Sequence, residues 1–362
     1  MTVPRFAPLL GLAFAACFEL PEPTHHGAHV VIAADPGFEL CGGTHAHMDA
    51  FVAALSAEFG LTPPTGDDRF TFYLLDADEL HERNICPDEA AACASNGNSY
   101  NPYAPLDHEL VHNVAGPLGD PLPLFSEGLA EAFEGLGDAA PETGGRSFLP
   151  IRDLVGLTTG VQLIRAGGYS TAGAFTTYLI RRHGLDAYLR LYAAVGPLET
   201  ARGLDDLFRE ELGVSLDDSI SAFELTMARC TRQEGDAKLL ECAAPELEWS
   251  GGRLLHHRSL GCDQDDAVGP YSQGSAVVFH TVTVPADGDY VVTVIGDDPR
   301  SRVDLQPCSI CRDEGVGVAA GEPPRTVALA AGRHSLRLHG PASIRTSVGV
   351  GIEPVDAPVH MP

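Results

Sequence analysis

Residues 105–131 read PLDHELVHNVAGPLGDPLPLFSEGLAE, and two short signals inside that stretch decide how the chain is organised. The first is His108-Glu109-Leu110-Val111-His112. The second is Ser126-Glu127-Gly128-Leu129-Ala130-Glu131, with Glu127 fifteen residues past His112. On a helix, residues four apart share a face, so His108 and His112 can aim both imidazoles at one metal ion. Glu109, one step round the same surface, can reach a metal-bound water without occupying the metal. Ligands, a base and an open position are together what a hydrolytic zinc site requires. Gly116 and Pro117 end the first helix, and Pro123 opens a second that runs to Gly135. So short a connection makes the two helices antiparallel neighbours and returns Glu127 to the His pair. The competing interpretation is a solvated helix carrying the string by chance, in a chain with 15 His.

The 362 residues are enough for two domains. Lys and Arg number 23 against 50 Asp and Glu, a net charge of −27. No nucleic acid is expected as a partner, because nothing here would neutralise phosphates. The acidity favours solubility, or alternatively basic substrates. At the start, MTVPRFAPLLGLAFAAC combines a weak positive region at Arg5 with an apolar run, Phe6–Ala16, too short to span a bilayer. Phe14-Ala15-Ala16-Cys17 resembles the bacterial lipobox, in which the Cys is lipidated and becomes the mature N-terminus. Acyl chains on Cys17 would anchor the protein to a membrane without a transmembrane helix. Phe18, where an Asp would signal inner-membrane retention, points to the outer membrane of a Gram-negative-type envelope. A plain secretory signal is the alternative. Residues 1–17 thus read as a signal peptide and 18–28 as a tether.

Without Cys17, eight cysteines remain of the nine. An even number in an exported chain favours disulfides. Cys86–Cys93, Cys230–Cys242 and Cys308–Cys311 are near neighbours and the expected pairs, although a Cys-x-x-Cys at 308–311 has metal and redox alternatives.

The fold expected is α+β. His29–Ala34 and Phe70–Leu75 read as strands around a helix bearing Met48, Phe51, Val52, Leu55 and Phe59. His45 and His47, two apart, have the wrong spacing for one helical face. Asn96–Tyr100 is a candidate edge strand ahead of the metal helix, able to pair with an extended peptide. A Gly/Pro-rich loop over 135–150 suits the rim of a cleft. Residues 151–230 are helical in pattern. From Ala276 onward, β-branched runs separated by turns indicate a β-sandwich. The expected domains are therefore a catalytic unit over 29–235, mainly helical with a small N-terminal sheet, and a sandwich over 245–362.

HELVH together with EGLAE resembles the gluzincin zinc peptidases, the clan of thermolysin and aminopeptidase N. The resemblance implies a zincin-like fold, one zinc ion, His108, His112 and Glu127 as ligands, and Glu109 as general base. It also implies that Glu131 is a carboxylate hydrogen-bonded to a zinc-ligating His. A third segment, Gly168-Tyr169-Ser170-Thr171-Ala172-Gly173-Ala174-Phe175, resembles the aminopeptidase N helix that begins with a transition-state tyrosine. Tyr169 falls on that position. The pattern is also that of peptidase-MA-like bacterial proteins, and it covers roughly residues 70–195.

Two departures limit what the resemblance implies. No Gly-x-Met-Glu-Asn string precedes His108, and the interval from His112 to Glu127 is shorter than in aminopeptidase N. Aminopeptidase specificity is accordingly not expected. The expectation is an exported zinc metallopeptidase acting on a peptide or protein. Its rival is a non-catalytic surface binding protein that keeps zinc as a staple, without an open coordination position.

Overall fold

The run Val30-Val31-Ile32-Ala33 has no polar side chain, and it forms a strand buried on both faces (β2, Val30–Ala34) at the heart of a mixed sheet. A computed structural model describes residues 20–87, 90–135, 149–226, 239–271, 274–308 and 316–355. From β2 the chain crosses over through α1 (Thr44–Glu58) and returns parallel to β2 as β3 (Phe70–Leu74). Met48, Phe51, Val52 and Leu55 line the buried side of α1. A short helix, α2 (Ala77–Glu82), then precedes a hairpin of β4 (Cys93–Ser95) and β5 (Asn98–Asn101).

The sheet order, β1-β2-β3-β5-β4, differs in two ways from the sequence expectation. Residues 18–28 were expected to be a tether, yet His25–His26 form β1, antiparallel to β2 on its free edge. Asn96–Tyr100 is not the outer edge either. Asn96 and Gly97 both take left-handed backbone, φ 52° and 76°, which suits a tight hairpin turn. The chain therefore folds back on itself, β5 is interior, and β4 is the edge.

The helix of the HELVH string, α3 (Asp107–Ala115), and α4 (Pro123–Phe133) follow, joined by one 3-10 turn at Gly116–Leu118. Next come α5 (Ile151–Leu154), α6 (Gly160–Ala166), α7 (Tyr169–His183), α8 (Leu185–Ala194), α9 (Ala201–Leu212) and α10 (Leu216–Thr226). Their apolar faces meet α3, α4 and the sheet in one core around Leu110, Leu124, Phe125, Phe175, Tyr188 and Phe208. Most of the 135–150 loop lies outside the described residues.

The C-terminal strands are β6 (Glu246–Leu247), β7 (Leu254–Leu260), β8 (Val268–Tyr271), β9 (Ser275–Val284), β10 (Gly288–Gly296), β11 (Arg302–Pro307), β12 (Val316–Ala319), β13 (Arg325–Leu329), β14 (Gly332–Pro341) and β15 (Thr346–Pro354). They form a four-stranded sheet ordered β13-β10-β15-β7 and a larger one ordered β12-β11-β14-β9-β6, with β8 also on β9. Alternate residues of both sheets, such as Val292 and Val350 on one and Val278 and Leu336 on the other, share a single apolar core.

Disulfide pairing departs from sequence proximity. Cys86–Cys93 forms as expected from its spacing. Cys242 pairs with Cys308, and Cys41 with Cys262, 221 residues away. The pairs Cys230–Cys242 and Cys308–Cys311 are thus corrected, and Cys230 and Cys311 lie outside the described residues. The cause is tertiary: the 3-10 turn Glu241–Ala243 packs on β9 and β14, which brings Cys242 to the end of β11, where Cys308 follows. Disulfides are compatible with an exported chain. Among the described residues, no helix is long and apolar enough to cross a membrane.

Between the two C-terminal sheets, the rings of His256 on β7 and His280 on β9 meet edge to face, with centroids 4.8 Å apart. Burial lowers both pKa values; Arg258 and His257 lower His256 further, and the His256 ring and Arg258 lower His280 further, against weaker upward pulls on His280 from a hydrogen bond with the Pro245 backbone and from Asp266. A lowered histidine means that the unfolded chain binds the proton first. Stability from this pair is therefore complete above the ordinary value of 6.5 and is lost as pH falls below it. Thermal unfolding followed from about pH 7.5 to about pH 5 should show a falling midpoint. In His280→Phe the fall should be shallower, and an identical slope would mean that the pair carries none of it.

Candidate metal centre

Two turns of α3 present the site. Leu110, Val111 and Val114 pack into the core, which commits the opposite face of the helix, with His108 and His112, to face α4. Pro123 occupies the first turn of α4, where its missing N–H costs nothing, and the tight return over 116–122 makes the helices neighbours. Glu127 is thereby carried to the histidines. Its Oε2 lies 3.2 Å from His108 Nε2 and 3.2 Å from His112 Nε2. The two imidazoles stand edge to face, 5.0 Å between centroids.

These three ligand atoms all lie within 4.8 Å of one another. With metal–ligand bonds of about 2.1 Å, the edge of a tetrahedral site is roughly 3.4 Å. Two imidazole nitrogens and a carboxylate oxygen at this spacing fit zinc both in donor type and in size. Electrostatics agree. Burial alone would raise the Glu127 carboxyl, but His112 beside it and hydrogen bonds from both histidines hold it far below the usual carboxylate range. The same bonds, with Glu134, overcome burial and raise His108 well above its ordinary value. Protons and a cation would therefore compete for the same lone pairs.

The other nitrogen of His108 is also fixed. Nδ1 donates to Glu134 Oε2 at 2.9 Å, and Glu131 Oε1 lies 3.9 Å from the same atom. Such a bond sets the tautomer, leaving the Nε2 lone pair for a ligand. Glu134 was missed in the sequence because it sits just past the last turn of α4. Its signal was a third acidic residue after Glu127 and Glu131.

Glu109 is only 7 % exposed and belongs to neither group of converging ligand atoms. Burial raises its carboxyl, although His112 and His108 pull the other way. A carboxyl poised upward beside a potential ligand position is suited to accept a proton. Tyr169, the first residue of α7, lays its ring on His108, with centroids 5.8 Å apart and planes 25° apart. Burial, the Glu127 charge and a hydrogen bond to Glu127 push its phenol far up, so the hydroxyl stays protonated and can donate. Glu109, His112, Glu127 and Tyr169 open on a cleft of about 940 Å³, whose far wall includes Ala94 and Ser95 of edge strand β4. Cys17 lies outside the described residues.

No protein-family model matches the chain, and no curated protein matches it either. Among solved structures it is similar to a periplasmic inhibitor of g-type lysozyme from Salmonella Typhimurium, at 13% identity and a TM-score of 0.21 over 30% of this chain and 96% of that one. The Aeromonas hydrophila inhibitor gives 14% identity and a TM-score of 0.21, over 30% of this chain and 96% of its own. Legionella pneumophila aminopeptidase A, in complex with aspartic acid, gives 9% identity and a TM-score of 0.32 over 87% of this chain and 34% of that one. Likeness this slight transfers neither a fold nor an activity.

Proposed function

We propose that the chain is an exported zinc metallopeptidase of the gluzincin kind. The observation that carries this reading is the convergence of Glu127 Oε2 on two imidazole nitrogens, at 3.2 Å each, beside the buried Glu109 carboxyl, which stands outside the converging set. Zinc held by His108, His112 and Glu127 would supply Lewis acidity and lower the pKa of water at the site.

The remaining chemistry belongs to the chain's own side chains. The Glu109 carboxylate takes a proton from the attacking water and hands it to the nitrogen of the leaving amine, so that one group serves as base and then as acid. The Tyr169 hydroxyl, held protonated, donates to the carbonyl oxygen as negative charge builds on it. Glu134 holds the His108 ring through its Nδ1 proton. An extended peptide backbone would lie in the cleft lined by β4 on one side and α3 on the other.

On this reading residues 29–235, which hold the first sheet's main strands and α1 to α10, are a zincin-like catalytic domain, and the two C-terminal sheets are a β-sandwich accessory domain. On the same reading Cys17 would carry a lipid anchor, and Phe18 after it supports attachment to the outer membrane.

Elemental analysis tests the centre directly. One zinc per chain in the parent and none in His112→Ala is the expected result, with peptide hydrolysis present only in the parent. A folded parent that takes up no zinc on reconstitution would overturn the reading. A parent with tightly held zinc but no exchangeable water position would favour the binding protein with a structural staple instead.

A further inference from the structure

The two histidines at the start of α1 part company in the fold. His45 turns its Nε2 to the Val30 carbonyl, at 3.2 Å. His47 instead reaches α3, where its Nε2 donates to Asp107 Oδ2 at 3.2 Å. Asp107 is wholly buried, begins α3, and immediately precedes His108. The His47 ring is itself held by aromatic faces. It stacks on Phe51 one turn along α1 (centroids 6.4 Å, planes 18° apart) and more closely on Phe279 (5.7 Å, 17°). Phe279 belongs to β9, in the larger C-terminal sheet.

The same region is joined at further points. Cys41 is disulfide-bonded to Cys262, and Thr44 Oγ1 both donates to the Gly269 carbonyl and accepts from the Gly269 amide. The Gly43 amide donates to the Ala267 carbonyl, and the Ala104 amide, ahead of α3, to the Pro270 carbonyl. The C-terminal sheets thus grip both the start of α1 and the approach to α3.

We propose that His47 is a positioning residue for the metal centre. Clamped by Phe279, it holds Asp107, and so sets the first turn of α3 from which His108 and Glu109 project. The centre is then a shared construction, in which the C-terminal sheets help to fix the bearing of His108 through His47 and Asp107. This inference rests on the metal reading above.

The test uses the full protein loaded with cobalt(II), whose visible spectrum reports ligand geometry, together with metal affinity from chelator competition. His47→Ala should weaken affinity about tenfold or more and change the visible bands, on the scale of lost outer-shell partners. His47→Gln, whose amide can still donate to Asp107, should recover most of both. Phe279→Leu keeps apolar volume but removes the stack, and should weaken affinity by a smaller factor. A variant made unstable for general reasons would not be rescued by Gln, and this separates positioning from mere folding. Parental affinity and spectrum in His47→Ala would overturn the inference while leaving the metal site standing; so would equal losses in the Gln and Ala variants. If His47→Ala does not fold, unaltered cobalt binding and spectrum in Phe279→Leu would overturn it. A parent that binds neither zinc nor cobalt would overturn the metal reading itself, and this inference with it.

Discussion

Glu109→Gln is expected to keep one zinc per chain at parental affinity and to lose peptide hydrolysis by roughly 10²–10⁴-fold. The amide has the volume and shape of the carboxyl, and Glu109 is buried, so packing of α3 should not change. Nor should metal binding, because the converging ligand atoms belong to His108, His112 and Glu127. What the amide cannot do is take a proton from water. The expected loss corresponds to about 3–5 kcal/mol of transition-state stabilisation, more than any plausible change in binding at this position. Elemental analysis and hydrolysis of a fluorogenic peptide library would be run on the same preparations. Undiminished hydrolysis would place the base elsewhere. Loss of zinc would mean that Glu109 holds the metal directly.

That much could be read from spacing because helices obey a short-range rule. His108 and His112 lie four apart, and a tight return at Gly116–Pro117 leaves α4 few places to go, so the approach of Glu127 follows from local geometry. Strand order is a different kind of problem. Asn96 opens the stretch read as an edge strand, yet with Gly97 it makes a hairpin turn, and that β4 rather than β5 forms the edge depends on which strand β3 chooses as a neighbour. The cysteines show the same limit. Proximity along the chain suggested Cys308–Cys311, but packing of the 3-10 turn Glu241–Ala243 on the larger sheet brings Cys242 to Cys308. Glu134 and His47 were hidden for a related reason. Each acts through one atom of another residue, and no periodicity marks a partner of that kind. The grip of the C-terminal sheets on Cys41, Thr44 and Ala104 spans more than 160 residues of sequence, beyond the reach of any local pattern.

Gly128→Ala should destabilise the fold and disturb the candidate metal centre together. Gly128 directly follows Glu127, on the side of α4 that lies against α7. A β-carbon there would stand 2.8 Å from the Ala172 carbonyl oxygen and would also strike Thr176 Oγ1. Thr176 can turn aside, but Ala172 offers only helix backbone and is itself fully buried. Helix propensity pulls the other way, since Ala exceeds Gly by about 1 kcal/mol within a helix. Overpacking of this kind typically costs about 1–3 kcal/mol, so the balance should fall to net destabilisation as α4 is levered off α7. The lever also bears on chemistry. Glu127 Oε2 sits 3.2 Å from both imidazole nitrogens, and a displacement of a few tenths of an ångström spoils two ligand distances together. Metal affinity should therefore fall by about tenfold alongside the thermal midpoint. Gly156→Ala, in the turn after α5, controls for the added methyl alone, because a β-carbon there meets nothing within 4 Å. A midpoint raised in Gly128→Ala, as propensity alone dictates, would mean that α4 and α7 separate without cost. A lowered midpoint with parental metal affinity would mean that Glu127 is placed by its own hydrogen bonds to the histidines rather than by the packing beneath it.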